Sequence, residues 1–271
     1  MPSLNEIADV AKKAAAAARE VQLRGLREGT KVRNKGRTND LVTEADEESE
    51  RVIASTVLDA FPGHNFLGEE SGNAGRNSEW LWVVDPIDGT TNYSRGIPYF
   101  SCSIAVYHHG APVFGLVSNP VVDETFWAVE GQGAFLNDSP IRASQVATFP
   151  EALLVTGFYY DRGKNIDLTL NAISSFYDQG IMGIRRFGSA ALDLCYLAAG
   201  RIDGYFEIGL NAWDFAAGEY IARTAGALTS DALGQPLPLR KTALVCGTRA
   251  LHPQMLALLP AWGDYQREHL G

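Results

Sequence analysis

A run of five apolar residues, Trp80-Leu81-Trp82-Val83-Val84, ends abruptly on Asp85-Pro86-Ile87-Asp88-Gly89-Thr90. A short stretch rich in aromatic and β-branched residues reads as a buried strand, and burial requires a sheet covered by other layers. The strand reading stops at Asp85, so two carboxylates three positions apart sit at the mouth of a strand. A tight turn there can aim Asp85, Asp88 and the Ile87 carbonyl at one point, an all-oxygen set of the kind hard divalent cations take. Gly89 and Thr90 would then open a helical turn whose free N–H groups can hold a phosphate oxygen. Taken alone, the same six residues read equally as an Asp-Gly turn with Asp85 as a cap.

The elements around this run alternate in type. Glu44 to Ala60 reads as a helix that Thr43 could cap and that stops before Pro62-Gly63. Ser101 to Tyr107, Ala111 to Ser118 and Glu124 to Glu130 read as strands of an antiparallel meander, divided by His108-His109-Gly110 and Asn119-Pro120. After about Ile141 strands and helices alternate: Leu153 to Gly157, Gly204 to Glu207 and Ala243 to Cys246 as strands, Asp167 to Tyr177, Ser189 to Ala199 and Trp213 to Ala225 as helices. Met1 to Val21 reads as a surface helix of alanines mixed with charges. With 271 residues, 46% hydrophobic, the chain can bury a large core as one domain or two packed lobes, residues 1–142 and 143–271.

Charge excludes one class of partner. A formal net charge of -9 would repel the phosphates of nucleic acid, so if phosphate binds here the positive charge must be local, with metal ions as its source. No stretch is apolar for the length of a membrane span, and no signal-peptide core opens the chain. Cys102, Cys195 and Cys246 are odd in number and far apart, which fits a reduced cytoplasmic protein.

Other carboxylates change the weighing of the Asp85 run. Gly68-Glu69-Glu70-Ser71 follows a short apolar stretch, and adjacent acids at a strand end are costly unless solvated or metal-bound. Asp214 lies between Trp213 and Phe215 at a helix start, where capping is its simplest role. The motifs V-T-E-A-D ending at Asp46, G-E-E-S from Gly68, D-P-I-D-G-T-T-N from Asp85 and W-D-F-A-A-G from Trp213, in that order and spacing, resemble the inositol monophosphatase family.

The resemblance implies an α+β fold, a layered α-β-α-β-α sandwich, and a magnesium-dependent phosphatase with two to three ions per site. Glu69, Asp85 and the Ile87 carbonyl would hold one ion, and Asp85, Asp88 and Asp214 a second. A weaker third would use Glu69 and waters. Asp46 would bond Thr90, whose hydroxyl, with Glu69, would position and help deprotonate the attacking water. Gly89 and Thr90 N–H groups would hold phosphate, Gly188, Ser189 and Ala190 would line the substrate, and Glu207 and Asp214 would face its hydroxyls. The implied partner is a small phosphorylated sugar or cyclitol, and the implied assembly a homodimer. Thr91-Asn92 and Glu207 resemble the inositol branch rather than branches cleaving fructose 1,6-bisphosphate, histidinol phosphate or nucleotide 3'-phosphates. Tyr93 and Asn211 depart from its pattern.

Several other residues invite chemistry. Cys195 and Arg201 have the C-x5-R spacing of cysteine-dependent phosphatases, but the run between them reads as helix, with its N–H groups already engaged, so a buried cysteine is expected. His64, His108 and His109 lack spaced His or Cys partners and read as solvated turn residues. Trp80, Trp82 and Trp127 read as core or interface rather than as a ligand platform. Lys31, Arg33, Lys35 and Arg37 read as a solvated loop, although Lys35 matches an active-site loop position of the family.

Overall fold

The structure, a computed structural model, describes residues 2–34, 41–75, 78–158 and 163–270. Two helices come first, α1 (Leu4–Glu28) and α2 (Glu44–Ala60), with a small antiparallel ribbon of β1 (Val32–Asn34) and β2 (Leu41–Thr43) between them in the chain. Each helix starts on a capping box, Ser3 with Glu6 and Thr43 with Asp46, which satisfies N–H groups that a helix start leaves open.

The larger sheet has eight strands: β3 (Asn65–Gly68), β4 (Gly72–Ala74), β5 (Trp80–Asp88), β6 (Ser101–His108), β7 (Ala111–Asn119), β8 (Glu124–Val129), β9 (Gly133–Leu136) and β10 (Ser139–Pro140). From β5 to β10 each strand pairs antiparallel with the next, as the turn signals require, while β3 runs parallel to β5. The five-residue α3 (Thr90–Ser94) follows β5 directly. The smaller sheet orders β12 (Gly183–Arg185), β11 (Leu153–Thr156), β13 (Gly204–Leu210), β15 (Thr242–Gly247) and β14 (Leu228–Ser230). Its helices are α4 (Lys164–Asp178), α5 (Ala190–Ala198), α6 (Ala212–Thr224), α7 (Leu251–Ala257) and α8 (Pro260–His269).

Side-chain alternation along the strands sorts these elements into layers, because successive residues point to opposite faces. On β5 and β6, Trp82, Val84, Ile104 and Val106 pack against α1 and α2, whereas Val83, Ala105 and Tyr107 pack against α5 and α6. On β15, Leu244 and Cys246 face that same α5–α6 layer, while Ala243 and Val245 face α4, α7 and α8. The order is therefore helices, large sheet, helices, small sheet, helices, the layered mixed fold expected.

Two expectations need correction. The first helix is no mere surface element: it runs to Glu28 and buries Ile7, Ala8, Ala11, Ala14, Ala15, Ala18, Val21 and Gln22. Alanines at helical spacing let it approach its neighbours closely, though each contributes little hydrophobic signal. Beyond Cys246 nothing was expected, yet α7 and α8 bury Leu251, Met255 and Trp262 under the small sheet. Pro253 and Gly263 interrupt the helical pattern there.

Candidate active site

Strand β5 stays buried on both faces until Asp85, where its ladder with β6 slips. Asp85 opposes Ser103 and Asp88 opposes Ser101, so β5 carries one extra residue, a bulge that turns the chain. The Ile87 N–H donates to Asp85 Oδ1 at 3.0 Å. Gly89 follows with φ 98°, and a Cβ there would lie 2.9 Å from the Gly188 carbonyl oxygen, so both its conformation and its neighbour require glycine. Thr90 then starts α3.

Other elements deliver their acids to the same place. Glu69 follows β3, and its N–H donates to the Val84 carbonyl of β5 at 3.1 Å. That turn is held from below by Glu50 of α2, whose carboxylate accepts from the N–H groups of Glu70 and Ser71, both at 2.8 Å. Asp214 sits in the first turn of α6 and accepts from the Asn211 N–H at 2.7 Å, so it caps as well as lining the cavity. Asp88 Oδ2 accepts from the Ser189 hydroxyl at 2.6 Å and the Ala191 N–H at 2.7 Å, which ties the β5 turn to the start of α5. Asp46, fully buried, accepts from the N–H and hydroxyl of Thr43 and, at 3.0 Å, from the Thr90 hydroxyl.

These groups surround a cavity of about 200 Å³, small beside the roughly 300–1,000 Å³ of sites for drug-sized ligands. Glu69, Asp85, Ile87, Asp88, Gly89, Thr90, Gly188, Ser189, Ala190, Glu207 and Asp214 all line it; Asp46 lies behind Thr90. Among the described residues six carboxylates, those of Glu69, Asp85, Asp88, Asp193, Glu207 and Asp214, line the cavity with one guanidinium, Arg186. Burial and then the neighbouring charges of Glu69, Asp88 and Asp214 push the Asp85 carboxyl well above its usual range. Burial and then Glu69 and Asp88 do the same to Asp214. Burial raises Asp88 and Asp46 to about 6, against the hydrogen bonds each accepts. Oxygen donors whose charges oppose one another fit hard cations, which would relieve the repulsion.

The cavity wall away from these acids is a polar network. Glu207 of β13 accepts from the Tyr205 hydroxyl at 2.5 Å, and burial lifts it to about 7. Asn92 donates to the carbonyls of Tyr99 and Phe187, strapping the α3 turn to the segment that carries Gly188. Sequence reasoning passed over Asp193, which accepts from the Tyr99 hydroxyl at 2.8 Å, and the Trp213 indole N–H, buried without a hydrogen-bond partner among the described residues. Asp193 sits inside an apolar helical run, and its Tyr99 partner is 94 residues away, so no local pattern marks it.

Cys195 is fully buried in α5, and burial holds its thiol well above its usual range, which removes the cysteine mechanism. His64 is not solvated: it is buried, stacks between Phe61 and Trp80, and accepts from the Trp82 indole N–H at 3.0 Å. His108 and His109 do end a strand in a turn, but Glu79 lies beside both. Trp80 and Trp82 are core, and Trp127 is half-buried, stacked on Phe135 beneath Lys12. Lys35 and Arg37 lie outside the described residues.

Among known proteins, the family described as "Inositol monophosphatase family" matches residues 3–262. A Vibrio cholerae protein named Nus factor SuhB is 43% identical over 198 residues, 73% of this chain and 74% of its own. The inositol-1-monophosphatase of Synechocystis sp. is 40% identical over 235 residues, 85% of this chain and 82% of its own. The solved structure of inositol monophosphatase from Anabaena (Nostoc) sp. matches with a TM-score of 0.85 at 35% identity, covering 96% of this chain and 97% of that one.

Proposed function

The chain belongs to the inositol monophosphatase family, and from that premise we propose that it is a magnesium-dependent phosphomonoesterase hydrolysing an inositol monophosphate to inositol and phosphate. One observation carries the reading: a cavity in a phosphatase fold lined, among the described residues, by six carboxylates and a single guanidinium. A phosphate ester is an anion and cannot enter such a lining until cations reverse its sign. Glu69, Asp85, Asp88, Asp214 and the Ile87 carbonyl would hold two to three magnesium ions. Bound there, the ions supply Lewis-acid charge and lower the pKa of water.

The chain's own groups supply the rest. Thr43 fixes Asp46, and Asp46 fixes the Thr90 hydroxyl. Thr90 Oγ1 and the Glu69 carboxylate orient the attacking water, and Thr90 accepts the water's proton as it passes its own to Asp46, whose carboxyl burial raises above its usual range. The water attacks phosphorus in line as the bond to the polyol oxygen breaks and that oxygen takes a proton from solvent water, so no side chain becomes phosphorylated. The N–H groups of Gly89 and Thr90 hold phosphate oxygens. Gly188, Ser189 and Ala190 line the polyol, and Glu207 accepts from its hydroxyls.

In this reading the site residues come from two lobes, 1–142 and 143–271, the second supplying Gly188, Ser189, Ala190, Glu207 and Asp214. Three buried cysteines without a disulfide among the described residues support a cytoplasmic setting, and among those residues no helix is long and apolar enough to cross a membrane. Homodimerisation belongs to the same reading. The relatives named Nus factor SuhB bring a second reading, a partner-binding role; with Glu69, Asp85, Asp88, Thr90 and Asp214 all at the cavity and Asp46 behind Thr90, it would accompany hydrolysis rather than replace it.

The test is phosphate release from inositol phosphates, fructose 1,6-bisphosphate, histidinol phosphate and nucleotide 3'-phosphates, with magnesium, with chelator and with lithium. Inositol monophosphates are expected to turn over fastest, and only with magnesium. Undiminished activity in chelator overturns the metal chemistry, and preference for another ester overturns the substrate. Asp88→Asn keeps an oxygen for Ser189 and Ala191 but loses the charge. It is expected to lower kcat by about three orders of magnitude or more, roughly 4 kcal/mol, while in chelator near neutral pH the variant melts no lower than wild type, because it lacks the buried charge.

A further inference from the structure

Strands β5 and β6 carry the acidic cavity at one end; at the other they bring together a second group of metal-binding side chains. Trp80, the first residue of β5, pairs with His108, the last of β6. The turn to β7 is made by His109 and Gly110, with φ 51° and 78°, the two positive angles of a type I′ hairpin turn. The His109 N–H donates to the Glu79 carbonyl at 2.9 Å, which holds the two residues side by side. Glu79 Oε2 lies 3.3 Å from His109 Nε2 and 4.0 Å from His108 Nε2.

We propose that Glu79, His108 and His109 form a second metal site, for a divalent transition ion of the zinc class, remote from the acidic cavity. Their three ligand atoms lie within 4.8 Å of one another. A tetrahedral ion with bonds of about 2.0–2.2 Å spaces its ligand atoms about 3.4 Å apart; the His109–Glu79 pair is already at that spacing, and the wider separations would have to close by up to about 1.4 Å. His108 Nε2 is buried without a hydrogen-bond partner among the described residues, and a cation between the three groups would satisfy it.

The imidazole of His108 is held in place. It stacks on Trp80 at 4.0 Å, Trp80 stacks on His64 at 5.4 Å, and His64 is locked by the Trp82 indole N–H. Two imidazoles and one carboxylate select zinc, cobalt, nickel or copper over magnesium, whereas the oxygen-only cavity selects the reverse. Asp85 is five residues along β5 from Trp80, about 17 Å at strand rise, so one ion cannot serve both places. Glu79 and His109 are largely exposed, leaving the fourth position to water and the ion exchangeable. The bound ion would staple the start of β5 to the β6–β7 turn.

The experiment is calorimetric titration of the whole chain with zinc chloride in saturating magnesium, for wild type, Glu79→Gln and His109→Asn. Asparagine tolerates the positive φ of position 109, and both positions are exposed, so the variants should melt with wild type when zinc is absent. Wild type is expected to bind one zinc per chain that each variant binds at least about tenfold more weakly. Zinc should raise the melting temperature of wild type only, and magnesium-supported phosphate release should be equal in all three. Equal zinc affinity in wild type and variants overturns the proposal, as does the absence of zinc binding to wild type.

Discussion

Thr90 Oγ1 lies 3.0 Å from Asp46 Oδ1 and 3.1 Å from the Ile87 carbonyl, so its one proton chooses between a carboxylate and a carbonyl that the proposed ion would occupy. With the carbonyl engaged, the proton belongs to Asp46, and a Thr90 lone pair turns to the water. Thr90→Ala should therefore lower kcat by about 10²–10⁴-fold with a small change in KM, while Thr90→Ser, which keeps the hydroxyl, should retain most of the rate; equal losses in both would deny the hydroxyl a role. Cys195→Ala, at a fully buried position away from the cavity lining, should leave kcat unchanged in phosphate-release assays. Asp85 to Thr90 was legible as a turn because strand, bulge and helix start are contiguous in the chain. Asp193 was not, because its meaning depends on Tyr99, delivered by another layer.

At the scale of elements, α1 does more than cover the sheet. Gln22, buried on its inner face, donates to the Pro86 carbonyl at 2.8 Å, and the Tyr93 hydroxyl donates to the Gln22 carbonyl at 2.9 Å. Gln22 thus ties α1 to the β5 turn at Pro86 and to α3 at Tyr93, and the peptide it holds is the neighbour of the one that carries the Ile87 carbonyl. Gly25 permits this, since a Cβ there would lie 2.2 Å from the Tyr93 hydroxyl. Gln22→Leu leaves a buried carbonyl unpaired. It should cost about 1–3 kcal/mol of stability and raise the magnesium concentration for half-maximal activity, read by denaturant melts and by magnesium titration of the rate. An unchanged magnesium requirement would reduce Gln22 to packing. The alanine spacing of α1 foretold a helix, but nothing in it foretold this contact across 64 residues.

For the whole molecule, the layers force acids from β3, β5 and α6 into one buried place, and folding without a cation sets their charges against one another. Asp46 and Asp88 rise from 3.8 to about 6. Between those values the native chain therefore holds protons that the unfolded chain has released. Their contribution to stability is complete below about 3.8 and is lost as pH rises through about 6, roughly 3 kcal/mol for Asp46. In chelator, wild type should melt at falling temperature from pH 4 to 6, more steeply than Asp46→Asn, which cannot titrate. Magnesium should restore the loss above pH 6, and parallel pH profiles for the two proteins would refute the assignment. The sequence alone determined the strand–turn–helix units, the helix caps at Thr43 and the ordered motifs that mark the family, since each depends on neighbours within a few positions. Only the tertiary structure decided that Asp88 would cap α5, that Gln22 would hold Pro86, that His64 would be buried, and that Glu79 would meet His108 and His109. Those contacts join residues that share no local pattern and become neighbours only when the layers pack.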